Sequence, residues 1–163
     1  MKKSYRTLEF SFIQDYIKNY CFSEMAKKRI DQIKPFQDID DLKLYQDDIS
    51  SAMKIIYAYG RIPLAPYEDI KEILQKAQKG GVCYPQDLLK IVQILKNVQE
   101  VQAYLDQEIE QSHLLEILSL LYLPKDLYNE ILKCVDPSGN IYDHASHELY
   151  RLRRQISAIE ANM

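Results

Sequence analysis

Apolar residues recur along most of this chain at steps of three and four positions, which is the period of an amphipathic helix. The first such segment covers about residues 8–20. Ser23 is placed to cap a second helix, because its hydroxyl group can accept a hydrogen bond from a free N–H group of the first turn, and Pro35 ends that helix. The pattern therefore predicts two helices before the first proline.

Two longer segments carry narrow apolar stripes. The first covers residues 39–59, and its stripe runs through Leu42, Tyr45, Ile49, Ala52, Ile56 and Tyr59. Gly60 can supply a positive φ at its end. The second begins at Pro85, a residue suited to the first helical position, and its stripe runs through Ile91, Ile94, Val98, Val101 and Leu105. These stripes predict two long helices that pack antiparallel.

Shorter periodic segments cover residues 68–79, 113–122 and 125–133. The chain contains four glycines, which leaves few positions for the turns of a β-sandwich or for a loop that cradles phosphate. Helices should therefore dominate. The predicted fold class is all-α, a multi-helix core built around the two long helices.

A turn is predicted at Asp136-Pro137-Ser138-Gly139, where Asp accepts at the first position, Pro137 presets φ at the second, and Gly139 takes a positive φ. Such a turn can close a three-residue hairpin loop. We therefore expect a very short β-hairpin near residues 134–142, with 134–135 and 141–142 as its strands.

The last segment predicts a helix that starts at Ser146. In this interpretation Ser146 is the cap, Glu148 lies near the positive end of the helix dipole, and Asp143 tethers the hairpin to the first turn. Leu149, Leu152, Ile156, Ile159 and Met163 then follow in heptad order, as in a coiled coil. No stop signal follows them, so we expect this helix, 146–163, to need a partner helix from a longer protein.

The polar residues before that helix also permit two catalytic interpretations. His144 and His147 could bind a metal ion, with Asp143 or Glu148 as a third ligand or base, because residues three apart can share a helix face. A nucleophilic Ser146 with a neighbouring His and Asp is less consistent with the spacing, because adjacent residues at one helix start rarely reach the geometry of a triad. Helix capping accounts for the same residues without any metal, cofactor or catalytic group.

The composition predicts one folded domain over residues 1–163. Hydrophobic residues make up 47% and charged residues 28% of the chain, close to the average for soluble globular proteins. No apolar run approaches the roughly 18 residues of a membrane span, and no secretory segment follows Met1, so we expect a cytoplasmic protein. The cysteines, Cys21, Cys83 and Cys134, are odd in number and widely spaced, which favours reduced thiols.

The net charge of −3 provides no global attraction to nucleic acid or to an anionic membrane. Charge is nevertheless uneven, because residues 1–30 hold seven Lys or Arg against three acids, whereas residues 31–50 hold six Asp against two Lys. Solvated helix faces explain this distribution most simply. The cations that could contact nucleic acid are Lys2, Lys3, Arg6, Lys27, Lys28, Arg29, Arg151, Arg153 and Arg154.

Four blocks of sequence, taken in order, resemble the N-terminal region of the bacterial MutS-II proteins, the MutS paralogues without the mismatch-reading domain. The blocks are Leu8-Glu9-Phe10 with Ser23-Glu24 and Lys34-Pro35; Gly60-Arg61-Ile62-Pro63-Leu64 with Asp69-Ile70; Lys79-Gly80-Gly81-Val82 with Leu88-Leu89; and Asp136, Gly139, Asp143, Ala145-Ser146, Glu148-Leu149, Arg151 and Arg153-Arg154. The resemblance spans nearly the whole chain. It departs from the family's usual residues at Ala65-Pro66 and at Cys83-Tyr84.

The resemblance implies that this chain is the first part of a helical core, or lever, domain, and that 146–163 begins a helix directed to a clamp. The full-length family protein would be a dimeric ATPase with a C-terminal Smr nuclease-like domain, using ATP and Mg²⁺, which binds branched DNA and collided ribosomes. Its partners would be the clamp helices and ATPase domain of the same polypeptide, DNA or the ribosome, and a second copy.

ATP binding of this kind needs the sequence G-x-x-x-x-G-K-[ST], which this chain lacks. Three hypotheses stay open: a non-catalytic structural module, a direct nucleic-acid or ribosomal-RNA binding module, and a small metal-dependent enzyme that uses His144 and His147.

Overall fold

The computed structural model describes residues 9–106 and 112–161, and the fold of these residues is all-α, as predicted. They form eight α-helices and one 3-10 turn. The helices are α1 (Phe10–Lys18), α2 (Glu24–Asp31), α3 (Ile39–Tyr59), α4 (Lys71–Gln78), α5 (Pro85–Leu105), α6 (His113–Ser119), α7 (Lys125–Cys134) and α8 (His147–Glu160), with the 3-10 turn at Asp143–Ala145. Within these ranges no helix is long and apolar enough to cross a membrane.

The described residues fall into two compact units. The first contains residues 9–69, 100–106 and 112–121, and the second contains residues 70–99 and 122–161. Helix α5 contributes residues to both units. The single helical domain expected over 1–163 stays a prediction.

Several helices begin where a short polar side chain can accept a hydrogen bond from a free N–H group of the first turn. Ser23 Oγ accepts from the Ala26 N–H group at 3.1 Å, Asp38 Oδ1 from Asp40 at 2.7 Å, and Ser112 Oγ from Leu115 at 3.2 Å. Helix α5 begins at Pro85, which suits the first helical position because it has no N–H group, and Asp87 Oδ2 accepts a hydrogen bond from the Tyr84 N–H group at 3.0 Å. These starts are set by contacts within a few residues of the chain.

The first unit is built around Ile55, Val101 and Tyr104, which are all buried. The hydroxyl group of Tyr104 donates a hydrogen bond to the Gly60 carbonyl oxygen at 2.8 Å, and burial raises the pKa of this phenol. Gly60 has the positive φ expected of it, 83°. Tyr104 of α5 therefore holds the C-terminal end of α3.

The stripe expected to be the packing seam of α3 is not its best covered side. Ile55 lies outside that stripe and is the buried residue of the helix, whereas Tyr45, Ile49 and Ile56 of the stripe are exposed. Helix α6 contacts the side of α3 that bears Ile55, where His113 Nδ1 lies 3.0 Å from the Asp48 carboxylate. The antiparallel packing of α3 and α5 stays a prediction.

The second unit buries Leu95, Leu123, Ile131 and Val135. The short hairpin expected near residues 134–142 is not confirmed as a pair of strands. Cys134 is the last residue of α7, and the segment that follows makes one isolated antiparallel bridge, between Val135 and Ile141. The helix extends to the point where the first strand was expected, so only this single bridge forms.

Candidate functional site

The loop between α7 and the last helix is organised by the carboxylate of Asp136. Asp136 Oδ1 accepts hydrogen bonds from the N–H groups of Ser138 at 2.8 Å and Asn140 at 2.9 Å. The Gly139 N–H group donates to the Asp136 carbonyl oxygen at 3.0 Å, which closes the turn through the exposed Pro137. The hydrogen bond from the Asn140 N–H group is the main reason why the pKa of Asp136 is lowered. The carboxylate therefore stabilises the loop by accepting hydrogen bonds from the loop's own backbone.

Gly139 is buried and has a φ of 84°. A Cβ atom at this position would lie 2.6 Å from Gln86 Nε2 and 3.6 Å from Leu89 Cδ1. The turn therefore rests against the first turns of α5, and glycine meets both the backbone and the space requirements.

Asp143 and Arg153 connect this loop to α8. Asp143 begins the 3-10 turn, and its carboxylate accepts a short hydrogen bond from the Arg153 guanidinium group. The same guanidinium nitrogen donates to the Ile141 carbonyl oxygen at 2.9 Å. Asp143 was expected to reach the first turn of the helix, but its partner lies in the second turn. Arg153 was considered as a nucleic-acid contact, and here it anchors the helix to the loop.

Ser146 is the N-cap residue of α8, and its Oγ accepts from the Leu149 N–H group at 3.1 Å. Glu148 lies in the first turn and pairs with Arg151 at 2.6 Å. The base of α8 is therefore held by three features: the cap, the Arg153 contacts, and packing against the 3-10 turn.

The two histidines are placed differently from each other. The ring of His144 stacks on the ring of Tyr142, with centroids 4.9 Å apart and an interplanar angle of 20°. His147 is the first residue of α8 and is exposed. Among residues 9–106 and 112–161, no three His, Cys, Asp or Glu side chains form a group that could hold a metal ion.

The apolar face of α8 is open to solvent. Leu149 is partly covered, whereas Leu152, Ile156 and Ile159 are exposed, with 54% of Ile156 and 62% of Ile159 accessible. No residue of α8 is buried. Met163 lies outside the described residues. A helix that is anchored at its base and carries an uncovered apolar stripe can dock against another helix.

The remaining cationic candidates lie on helix surfaces. Lys27 pairs with Glu24 at 2.6 Å, and the Arg154 guanidinium lies 5.7 Å from the centre of the Tyr150 ring. Lys28 and Arg29 are exposed on α2. Lys2, Lys3 and Arg6 lie outside the described residues. Lys27, Lys28 and Arg29 belong to the first unit, and Arg151 and Arg154 belong to the second.

The sequence interpretation missed two contributors to this site. Arg153 was grouped with the other arginines, although its spacing from Asp143 is compatible with a contact across the 3-10 turn. No sequence pattern indicated that Gln86 belongs to this site, because its contact with Gly139 joins positions far apart in the chain. Such a contact depends on the path of the chain and not on any local motif.

No family model matches this sequence. Curated proteins named Endonuclease MutS2 do match it. The protein from Clostridium botulinum (strain Alaska E43 / Type E3) is 31% identical over 158 residues, which cover 95% of this chain and 20% of that protein. The protein from Halothermothrix orenii is 30% identical over 171 aligned residues, covering 99% of this chain and 22% of that protein. The protein from Halalkalibacterium halodurans is 27% identical over 168 aligned residues, covering all of this chain and 21% of that protein. The chain thus spans about one fifth of the relatives that it matches.

Proposed function

This chain corresponds to an N-terminal part of a MutS2-like protein, and we propose that it serves there as a non-catalytic lever. By a lever we mean a helical module that transmits ATP-driven movement from an ATPase domain to a clamp. The clamp would grip branched DNA or a collided ribosome. In this proposal the groups that bind ATP and Mg²⁺ and those that cut nucleic acid belong to other parts of the protein, and the relatives are named as endonucleases as whole proteins.

The observation that carries this proposal is the contrast between the two ends of α8. Its base is fixed by the Ser146 cap and by the contacts of Arg153 with Asp143 and Ile141. Its far half exposes Ile156 and Ile159. A helix that is fixed at one end and apolar along its free side can pass a displacement to a helix that packs on it.

The chemistry of the loop also supports a structural role. The carboxylates of Asp136 and Asp143 are both engaged by donors of the same loop and helix. The ring of His144 stacks on Tyr142. Each of these polar groups contributes to the local fold, so a structural role explains their presence without a catalytic one.

The test uses a MutS2-like protein that contains this chain, with Ile156→Asp and Ile159→Asp introduced together. Both side chains are exposed, so the substitutions should leave the fold of the chain intact while placing charge on the docking face. We expect ATP hydrolysis without nucleic acid to continue and its response to branched DNA to be lost. Val82→Asp is the matched control, because Val82 is 76% exposed and lies outside α8, and it should retain the response.

Two results would count against the proposal. An unchanged response in the double variant would mean that the α8 face transmits nothing. ATP hydrolysis or DNA cleavage by the purified chain alone would mean that the module is itself catalytic. Salt-sensitive binding of branched DNA by the chain alone, abolished by Lys28→Glu with Arg29→Glu, would instead favour direct nucleic-acid binding.

A further inference from the structure

A cleft opens between the C-terminal end of α5 and helix α6, entirely within the first unit. Its volume is about 490 Å³, and small-molecule sites usually have volumes of about 300–1,000 Å³. The residues that line it lie between positions 102 and 121, whereas α8 and the loop that supports it belong to the second unit. The proposed lever function therefore does not explain this cleft.

Leucine side chains form the apolar part of the cleft. One of them is the last residue of α5, and the others come from α6 and from the segment that follows it. All of them are partly buried, and they are Leu105, Leu115, Leu118 and Leu121. Such walls favour a ligand with an aliphatic body, because the methylene groups of that ligand would leave water on binding.

The charged side chains that line the cleft are both carboxylates. Asp106 directly follows the last residue of α5, and Glu116 lies on α6. Within residues 9–106 and 112–161, neither carboxylate has an ion pair or a hydrogen bond. The C-terminal end of α5 adds partial negative charge, because the dipole of a helix is negative there. The cleft therefore attracts a cation and repels phosphate groups.

The neutral polar groups of the cleft favour a ligand that donates hydrogen bonds. Gln102 Nε2 donates to the Leu121 carbonyl oxygen at 2.8 Å, which leaves Oε1 of the same amide as an acceptor. The Ser119 hydroxyl group donates to the Glu116 carbonyl oxygen at 2.7 Å, so its oxygen is likewise left to accept. The bond from Gln102 to Leu121 also joins the two walls of the cleft, so the shape of the cleft is fixed before a ligand binds.

We propose that this cleft binds a linear aliphatic polyamine, with the methylene chain against the leucines and the ammonium groups at Asp106 and Glu116. The two carboxylates come from different walls of the cleft, so a ligand with two separated ammonium groups can pair with both. Each ammonium group carries donors and no acceptor, which suits the carboxylates. A hydrated divalent metal ion would pair with the carboxylates but would make no use of the apolar walls.

Titration of the 163-residue chain with spermidine, followed by NMR of its leucine methyl groups, tests the proposal. We expect saturable shifts at Leu115 and Leu118, whereas Leu149 and Leu152 of α8 should not shift. Butylamine, which has a single ammonium group, should bind about threefold more weakly, because one ion pair is lost. Mg²⁺ should leave the leucine methyl groups unshifted.

Neutral variants test the two carboxylates. Asp106→Asn with Glu116→Gln should raise the dissociation constant for spermidine about tenfold, because both ion pairs are lost and each contributes modestly. Glu72→Gln with Asp126→Asn is the matched control, since it removes two exposed carboxylates from the second unit, and it should leave binding unchanged. Circular dichroism of each variant establishes that the helices are retained.

Several results would overturn the proposal. Leu115 and Leu118 methyl signals that stay in place up to millimolar spermidine would show that the cleft binds no polyamine. Equal spermidine binding by the protein and by Asp106→Asn with Glu116→Gln would show that the carboxylates hold no ammonium group. Equal affinity for butylamine and spermidine, or equal shifts with Mg²⁺, would exclude a polyamine as the ligand. A lysine-containing peptide that binds more tightly than spermidine would assign the cleft to a protein partner instead.

Discussion

The rigidity of α8 depends strongly on one hydroxyl group. Ser146 Oγ accepts the Leu149 N–H group at 3.1 Å, and no residue of the helix is buried, so burial of side chains contributes little to its local stability. The ion pair of Arg153 and Asp143, a second of the three features that hold the base, lies at the surface. Exposed ion pairs of this kind contribute about 0.2–1 kcal/mol. Loss of a serine cap costs about 1 kcal/mol.

Ser146→Ala should therefore loosen α8 without unfolding the rest of the second unit. A loss of about 1 kcal/mol corresponds to about a fivefold fall in the equilibrium between closed and open helix. The expected result is about a fivefold faster hydrogen exchange of the α8 amides, measured by native-state exchange, with little change at Ile131 and Val135. These two residues are buried in the core.

Two controls separate the cap from other effects. Ser146→Asp keeps an oxygen acceptor at the same position and adds a negative charge at the helix N-terminus, so exchange should return to the original rate or slower. Ser112→Ala removes the cap of α6 in the first unit and should leave α8 unchanged. Equal exchange in Ser146→Ala and Ser146→Asp would refute the reasoning, because the acceptor would then contribute nothing.

Two further predictions concern the loop that supports α8. Gly139→Ala should lower the free energy of unfolding in urea by about 1–2 kcal/mol, because alanine disfavours the positive φ and its Cβ would displace the Gln86 side chain. Gly80→Ala has a similar φ of 77° but open space around it, so an equal loss in both variants would contradict the proposed contact. Asp136→Asn should destabilise the protein at neutral pH. Because the pKa of Asp136 is lowered in the folded state, its contribution to stability is present above the ordinary value of 3.8 and is lost as pH falls through the lower folded pKa. A difference in unfolding free energy between the protein and Asp136→Asn that persists in acid would exclude this role.

Much of the helical framework could be predicted because its signals are local. The segment 39–59 and the start at Pro85 coincide with the observed bounds of α3 and α5. The apolar period and the caps act over three or four residues, so they are visible without the fold. The segment 68–79 was less well defined, because α4 begins only at Lys71, and Ile70 before it provides no side-chain cap.

The candidate site was only partly predictable. Pro137 and Gly139 mark the turn in the sequence, and Ser146 marks the start of the helix, since each acts on its immediate neighbours. The expected strands near 134–142 are not confirmed, because α7 continues through Cys134 and the segment after it makes one isolated bridge between Val135 and Ile141. Where a residue can join either a helix or a strand, packing against neighbouring residues decides which of the two it adopts.

By itself the sequence determined the all-α class, the starts of most helices and the resemblance to the MutS-II proteins, because these depend on residue order and on contacts between near neighbours. The tertiary structure alone decided which side of α3 is covered, that Arg153 binds Asp143 and Ile141, and that Gly139 rests against Gln86. A hydrophobic stripe indicates that burying one face of a helix would be favourable, but it does not indicate which surface will cover that face. That choice depends on where the chain brings other apolar and charged groups, which no local pattern records.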